Sequence, residues 1–88
     1  MKYELTIISP IEADAQIAEL FEGKHYDSTY GGYKRLSYTL EGHEYGHYYY
    51  IDFRATPMLI HLLNEHLEHS ADWALRYLIV NVDERRNM

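Results

Sequence analysis

The chain has 88 residues, of which 47% are hydrophobic and 25% charged, with eight Lys and Arg against 14 Asp and Glu for a formal charge of −6. That length supports one small core and leaves no room for a second domain, and the composition matches a globular protein rather than a disordered or membrane one. The acidic balance excludes charge-driven binding of nucleic acid by the whole surface, and the absence of cysteine excludes disulfides, thiolate metal sites and cysteine nucleophiles.

From the N-terminus, Tyr3, Leu5 and Ile7 alternate with Lys2, Glu4 and Thr6 over residues 2 to 8, the period of a half-buried strand. The apolar stretch ending at Ser9-Pro10 is too short for a signal segment or a membrane span, which predicts a cytoplasmic location. Ala13, Ile17, Leu20 and Phe21 then recur at helical spacing, and Gly23 stands where a left-handed helix stop belongs, predicting a first helix over residues 12 to 22. Residues 25 to 40 form a second strand interrupted at Tyr30-Gly31-Gly32-Tyr33, where paired glycines mark a bulge or bend; Leu36, Tyr38 and Leu40 point one way and Arg35, Ser37 and Thr39 the other. Glu41-Gly42-His43-Glu44-Tyr45-Gly46 has the glycine spacing of a hairpin loop, leading to a third strand over Tyr48 to Phe53 with Tyr49, Ile51 and Phe53 inward.

Thr56-Pro57 has the form of an N-cap followed by proline at the first helical position, and Ile60, Leu63 and Leu67 mark one face of a helix running to His69. Leu75, Tyr77 and Ile79 alternate with Arg76, Leu78 and Val80 as a fourth strand. The resulting order, βαββαβ, predicts an α+β ferredoxin-like domain over residues 1 to 82, with a four-stranded antiparallel sheet carrying both helices on one face, followed by a short polar tail at 83 to 88. The predicted core joins Tyr3, Leu5, Ile7, Ile17, Leu20, Phe21, Leu36, Tyr49, Ile51, Phe53, Ile60, Leu63, Leu67, Tyr77 and Ile79.

Three patterns bear on chemistry. His43-Glu44-Tyr45-Gly46-His47 spells the zinc-peptidase pattern H-E-x-x-H, which works only when a helix sets both histidines on one face; Gly46 and the flanking tyrosines predict a hairpin here, leaving a zinc hydrolase as a remote alternative. His61, His66 and His69 lie among Glu65 and Glu68 as on any wet helix face. Tyr48 and Tyr50 occupy outward positions at which RNA-recognition modules stack bases, although outward strand one offers Glu4 and Thr6 in place of an aromatic; a stand-alone RNA-binding module or a protein-interaction module is thus a second reading. Lys34-Arg35 beside Tyr33, with Lys2 and Arg76, make a candidate basic patch on an acidic chain.

Lys2-Tyr3-Glu4-Leu5, Lys34-Arg35-Leu36-Ser37-Tyr38, Gly46-His47-Tyr48-Tyr49-Tyr50-Ile51-Asp52-Phe53, Thr56-Pro57 with Leu63-Asn64, and Leu75-Arg76-Tyr77-Leu78-Ile79-Val80, in this order and spacing, resemble the small-subunit ribosomal protein S-six family of bacterial type over nearly the whole chain except residues 10 to 32. The resemblance implies the same ferredoxin-like fold, no catalysis and no cofactor, metal or small-molecule substrate. It also implies residence in a ribosome, cytoplasmic or organellar, and assembly with small-subunit protein S-eighteen onto the central domain of small-subunit ribosomal RNA. Carried onto this chain, RNA contact falls on Lys2, Lys34, Arg35 and Arg76, and partner contact on Tyr48 and Tyr50. Two departures stand out: the first helix is about two turns shorter than is usual in the family, and Thr39 follows Tyr38 where the family commonly has proline. The C-terminal tail is short as well, so partner contacts made by a longer family tail do not transfer.

Overall fold

The computed structural model describes residues 1–83. Its elements are β1 (Lys2–Ser9), α1 (Asp14–Leu20), β2 (Tyr26–Leu40), β3 (His43–Arg54), α2 (Pro57–His69) and β4 (Arg76–Asn81). The strands make one antiparallel sheet in the order β2-β3-β1-β4, the ferredoxin-like α+β arrangement expected from the sequence. Of the expected tail, Asp83 is described, and its Oδ2 accepts the Lys2 backbone N–H at 3.1 Å. Residues 84 to 88 lie outside the described residues.

β1 runs through the middle of the sheet, and its alternation sets the two faces. Tyr3, Leu5, Ile7 and Ser9 are buried while Lys2, Glu4, Thr6 and Ile8 on the other face are half-buried. Leu5 stands between Ile51 and Ile79, and Ile7 between Tyr49 and Tyr77. Ile17 and Phe21 from the α1 segment and Leu67 from α2 close over this row, which leaves Leu5, Ile7, Tyr49 and Ile51 with 0% exposure. Each such aliphatic side chain contributes about 1.5–3 kcal/mol through apolar burial. The short first helix therefore covers the core beneath β1 and β3.

The first helix is shorter than its periodicity suggests, spanning seven residues rather than 12 to 22. The buried Ala13 N–H is taken by the Tyr49 hydroxyl, which accepts it at 2.8 Å, so the chain turns into the helix only at Asp14. At the other end Gly23 adopts φ +76° and turns the chain out of the helix. A helix this short has little stability of its own and is held by packing: the Phe21 ring that follows it lies 4.9 Å from Phe53 and 5.1 Å from Tyr26. α2 begins as predicted, with Thr56 Oγ1 accepting the Leu59 N–H at 3.3 Å and Pro57 in the first turn.

Two expectations about the β2–β3 hairpin are corrected. The connection is the two-residue turn Glu41-Gly42, not a loop over residues 41 to 46, because both residues take positive φ (+46° and +84°), the pairing that matches strand twist in a tight hairpin. β3 accordingly starts at His43. The second correction concerns Leu36. A bulge lies between Tyr30 and Gly32, so Tyr30 pairs with Tyr49 while Gly32 pairs with Tyr48. One extra residue inverts the strand's facing. Tyr26, Ser28 and Tyr30 share the helix side with Tyr49, Ile51 and Phe53, whereas Gly32, Lys34 and Leu36 move to the opposite face. Leu36 is buried, as predicted, but away from the helix-side core: a Cβ built at Gly46 would lie 3.5 Å from its Cδ2 and 2.6 Å from Ile8 Cγ2.

Beyond the reach of the helices, the helix-side face of the hairpin is held by a ladder of rings. Tyr45 stacks on Tyr33 at 5.5 Å, Tyr33 meets His47 at 4.5 Å, and the Tyr30 hydroxyl bonds His47 Nδ1 at 2.7 Å. Aromatic pairs of this kind contribute about 0.5–1.5 kcal/mol each beyond area burial. They replace the support that a longer helix would give.

Candidate functional site

The face of the sheet away from the helices is banded. Following the strand register, its first row pairs Lys2 with Arg54. The next row sets three carboxylates side by side across three strands, Glu4, Asp52 and Asp27, with Val80 at its end. A third row holds Leu78, Thr6, Tyr50 and Thr29, and a fourth Arg76, Ile8, Tyr48 and Gly32. Beyond these, Leu36 lies over Gly46, opposite Lys34.

The middle of this face is apolar and wet: Leu78 is 61% exposed, Tyr38 59% and Tyr50 37%. Paired glycines make the aromatic surface possible, since a Cβ at Gly31 would overlap the Tyr50 ring. Two cations lie over tyrosine rings, Lys34 Nζ at 5.2 Å from the Tyr48 centroid and Arg76 Cζ at 5.5 Å from that of Tyr38. A cation over a ring gains attraction from the ring quadrupole while its charge stays available to an outside anion.

The sequence-derived basic group does not form one patch. Lys34 and Arg76 share the open face near its hairpin end. Lys2 lies on the same face but six residues along β1 from Ile8, the partner of Arg76, a separation of about 20 Å at strand rise. Arg35 pairs with Tyr45, on the helix side beside Tyr33. Tyr48 and Tyr50 sit side by side on the open face, facing outward as expected. Sequence reasoning missed the contributions of Ile8, Tyr38, Leu78 and the carboxylate row. The bulge glycines were the available signal for Lys34, because the frame shift they cause brings it to the face of Tyr48; Tyr38 lies beyond a second irregularity in the β2–β3 register, between Arg35 and Leu40, and meets Arg76.

The histidine patterns also find their places. His43-Glu44-Tyr45-Gly46-His47 lies on β3, where four residues span about 13 Å rather than one helical turn. His47 is engaged by Tyr30. On α2, His69 Nε2 is 3.7 Å from Glu65 Oε2, both exposed. Among the described residues no group of three or more His, Cys, Asp or Glu side chains is arranged to hold a metal ion. Titration is perturbed at two tyrosines, neither on the open face: burial pushes the Tyr49 phenol above its ordinary value of 10.0, and burial, with Glu68 and Glu65 nearby, does the same to Tyr77.

No protein-family model matches the chain, and no curated protein matches it in sequence. In three dimensions it is similar to the 30S ribosomal protein S6 from Thermotoga maritima, with a TM-score of 0.76 and 15% identity over 98% of this chain and 92% of that one. At this identity the likeness establishes a common fold, over nearly the full length of both chains. No helix among the described residues is long and apolar enough to cross a membrane.

Proposed function

We propose that this chain is a non-catalytic small-subunit ribosomal protein that holds small-subunit ribosomal RNA, through its central domain, jointly with a basic partner equivalent to small-subunit protein S-eighteen. The observation that carries the proposal is the banded open face. Its apolar centre around Tyr48, Tyr50 and Leu78 is the kind of aromatic surface that anchors a protein interface. The row Glu4, Asp52 and Asp27 offers like charges directly opposite one another, an arrangement that a basic partner relieves. Lys34 and Arg76, held on their rings at the other end, then extend the partner's phosphate-binding surface, with Lys2 and Arg35 as outlying contacts.

The charge of the chain explains why two proteins are needed. Affinity for RNA comes largely from neutralised phosphates and released counterions, and a chain of net charge −6 with two clustered cations supplies few of either. Cooperative binding follows as a coupling between the protein and RNA contacts. The test is RNA binding over a range of salt, for the isolated chain and for its mixture with the basic partner. Tight binding is expected only in the mixture, and Lys34→Ala with Arg76→Ala should lower the salt slope of the ternary complex by about one to two units. Tight, specific binding by the chain alone, unchanged by the partner, favours the self-sufficient RNA-binding module instead. Co-purification of the tagged chain with small ribosomal subunits tests its cytoplasmic, ribosomal location.

A further inference from the structure

The sheet has two edges, and only one is defended. β2 carries the bulge between Tyr30 and Gly32 and the adjacent cations Lys34 and Arg35, features that keep one sheet edge from pairing with another. β4, at the other edge, reads Arg76-Tyr77-Leu78-Ile79-Val80-Asn81, without glycine, proline or bulge and with no charge after Arg76. Leu78, in the middle of this strand, is 61% exposed.

Two copies of such an edge pair antiparallel about a two-fold axis normal to the sheet, so each face of the sheet continues across it. With the axis at Leu78, that residue meets its own counterpart, Tyr77 lies opposite Ile79, and Arg76 lies opposite Val80. The register within the chain then decides what Arg76 approaches. Val80 pairs with Glu4, Glu4 with Asp52, and Asp52 with Asp27, so Arg76 of each copy extends the carboxylate row of the other. Glu4 stands two strand spacings from it, about 10 Å between backbones, a span that the two long side chains bridge. Charge selects this axis. Placed at Ile79, it would carry Arg76 past Val80 toward the row of Lys2 and Arg54, and placed at Tyr77 it would set Arg76 opposite Leu78. We propose that the chain forms a two-fold dimer through β4, joining two sheets into one, with Leu78 packed on Leu78 and Arg76 of each copy paired with Glu4 of the other. The affinity is modest, because two chains of charge −6 repel and Glu65 and Glu68 lie near Tyr77 on the helix side of the same edge. The contact is independent of the ribosomal reading, and its test needs neither RNA nor a basic partner.

The chain holds no cysteine, so a single introduced thiol reports the register. Under mild oxidation Leu78→Cys should cross-link two copies, since directly opposite Cα atoms lie about 4.5–5.5 Å apart, within disulfide reach. Val80→Cys, opposite Arg76, should not. Sedimentation at physiological salt should show a concentration-dependent dimer below about 1 mM. Arg76→Glu and Glu4→Lys should each raise its dissociation constant about tenfold or more, and mixing the two variants should restore it, because each supplies the charge the other lacks. Leu62→Glu, in the groove between the two helices, should leave the dimer unchanged. Thermal melts establish that every variant keeps its fold. A monomer at about 1 mM, cross-linking of Val80→Cys equal to that of Leu78→Cys, no recovery in the mixture, or a dimer dissolved by Leu62→Glu would overturn the proposal.

Discussion

Gly46 offers the sharpest test of how the open face is built. A Cβ added there lies 2.6 Å from Ile8 Cγ2, well inside ordinary contact, while Leu36 Cδ2 at 3.5 Å is undisturbed. Overpacking of this kind costs about 1–3 kcal/mol, and alanine in place of glycine inside a strand recovers about 0.5–1 kcal/mol. Gly46→Ala should therefore destabilise by roughly 1–2 kcal/mol, a fall of about 4–8 °C in melting temperature per kcal/mol for a domain of this size. In an Ile8→Ala background the obstruction is gone and only the backbone gain remains. There the same substitution should stabilise by roughly 0.5–1 kcal/mol, giving a coupling of about −2 kcal/mol between the two sites. Urea melts of the four variants read this directly. Additive costs would mean that Gly46 does not face Ile8, and the β1–β3 register that sets the rows of the open face would be wrong.

Other outcomes follow from the same geometry. Tyr49→Phe removes the hydroxyl that accepts the buried Ala13 N–H and should cost about 1–3 kcal/mol in denaturant melts. Because burial raises the phenol of Tyr49 above its unfolded value of 10.0, the folded chain holds that proton more tightly; the stability it confers is complete below about pH 10 and is lost as pH rises through the folded value. Melts across alkaline pH should thus show a shallower loss for Tyr49→Phe, with the part due to Tyr77 retained. Asp52→Asn should stabilise the isolated chain by about 0.5 kcal/mol, since Asp27 lies directly opposite Asp52, yet weaken binding of a basic partner; a loss of stability on melting would show that this carboxylate pair is not repulsive. Ile51→Ala, at a position with no exposure, should cost about 2–5 kcal/mol, whereas Thr39→Ala, exposed, should stay within about 0.5 kcal/mol.

The helix-side core was legible because it is written in periods. Tyr3, Leu5 and Ile7 alternate, as do Tyr49, Ile51 and Phe53, and Thr56-Pro57 marks a helix start by its own chemistry. Ala13, Ala71 and Ser9, buried as deeply, carry no such mark, because small side chains are placed by their neighbours rather than by their own hydrophobicity. The limits of α1 were set by a contact 36 residues away in sequence, Ala13 with Tyr49, which no local pattern contains.

The open face was harder to read because facing depends on a count. Tyr30-Gly31-Gly32-Tyr33 announces a bulge, but the positions of Lys34 and Arg35 follow only once the extra residue is fixed against β3, and that of Tyr38 only after a second irregularity between Arg35 and Leu40. Until then Lys34 and Arg35 look like neighbours in one patch, although a strand sends adjacent side chains to opposite faces. The carboxylate row is of the same kind: Glu4, Asp27 and Asp52 are far apart in sequence and meet only through register. A charge row, an aromatic centre and two ring-bound cations are thus all products of sheet registration: the β1–β4 pairing puts Arg76 on the face that carries Tyr48 and Tyr50, and the β2 bulge brings Lys34 to the same face.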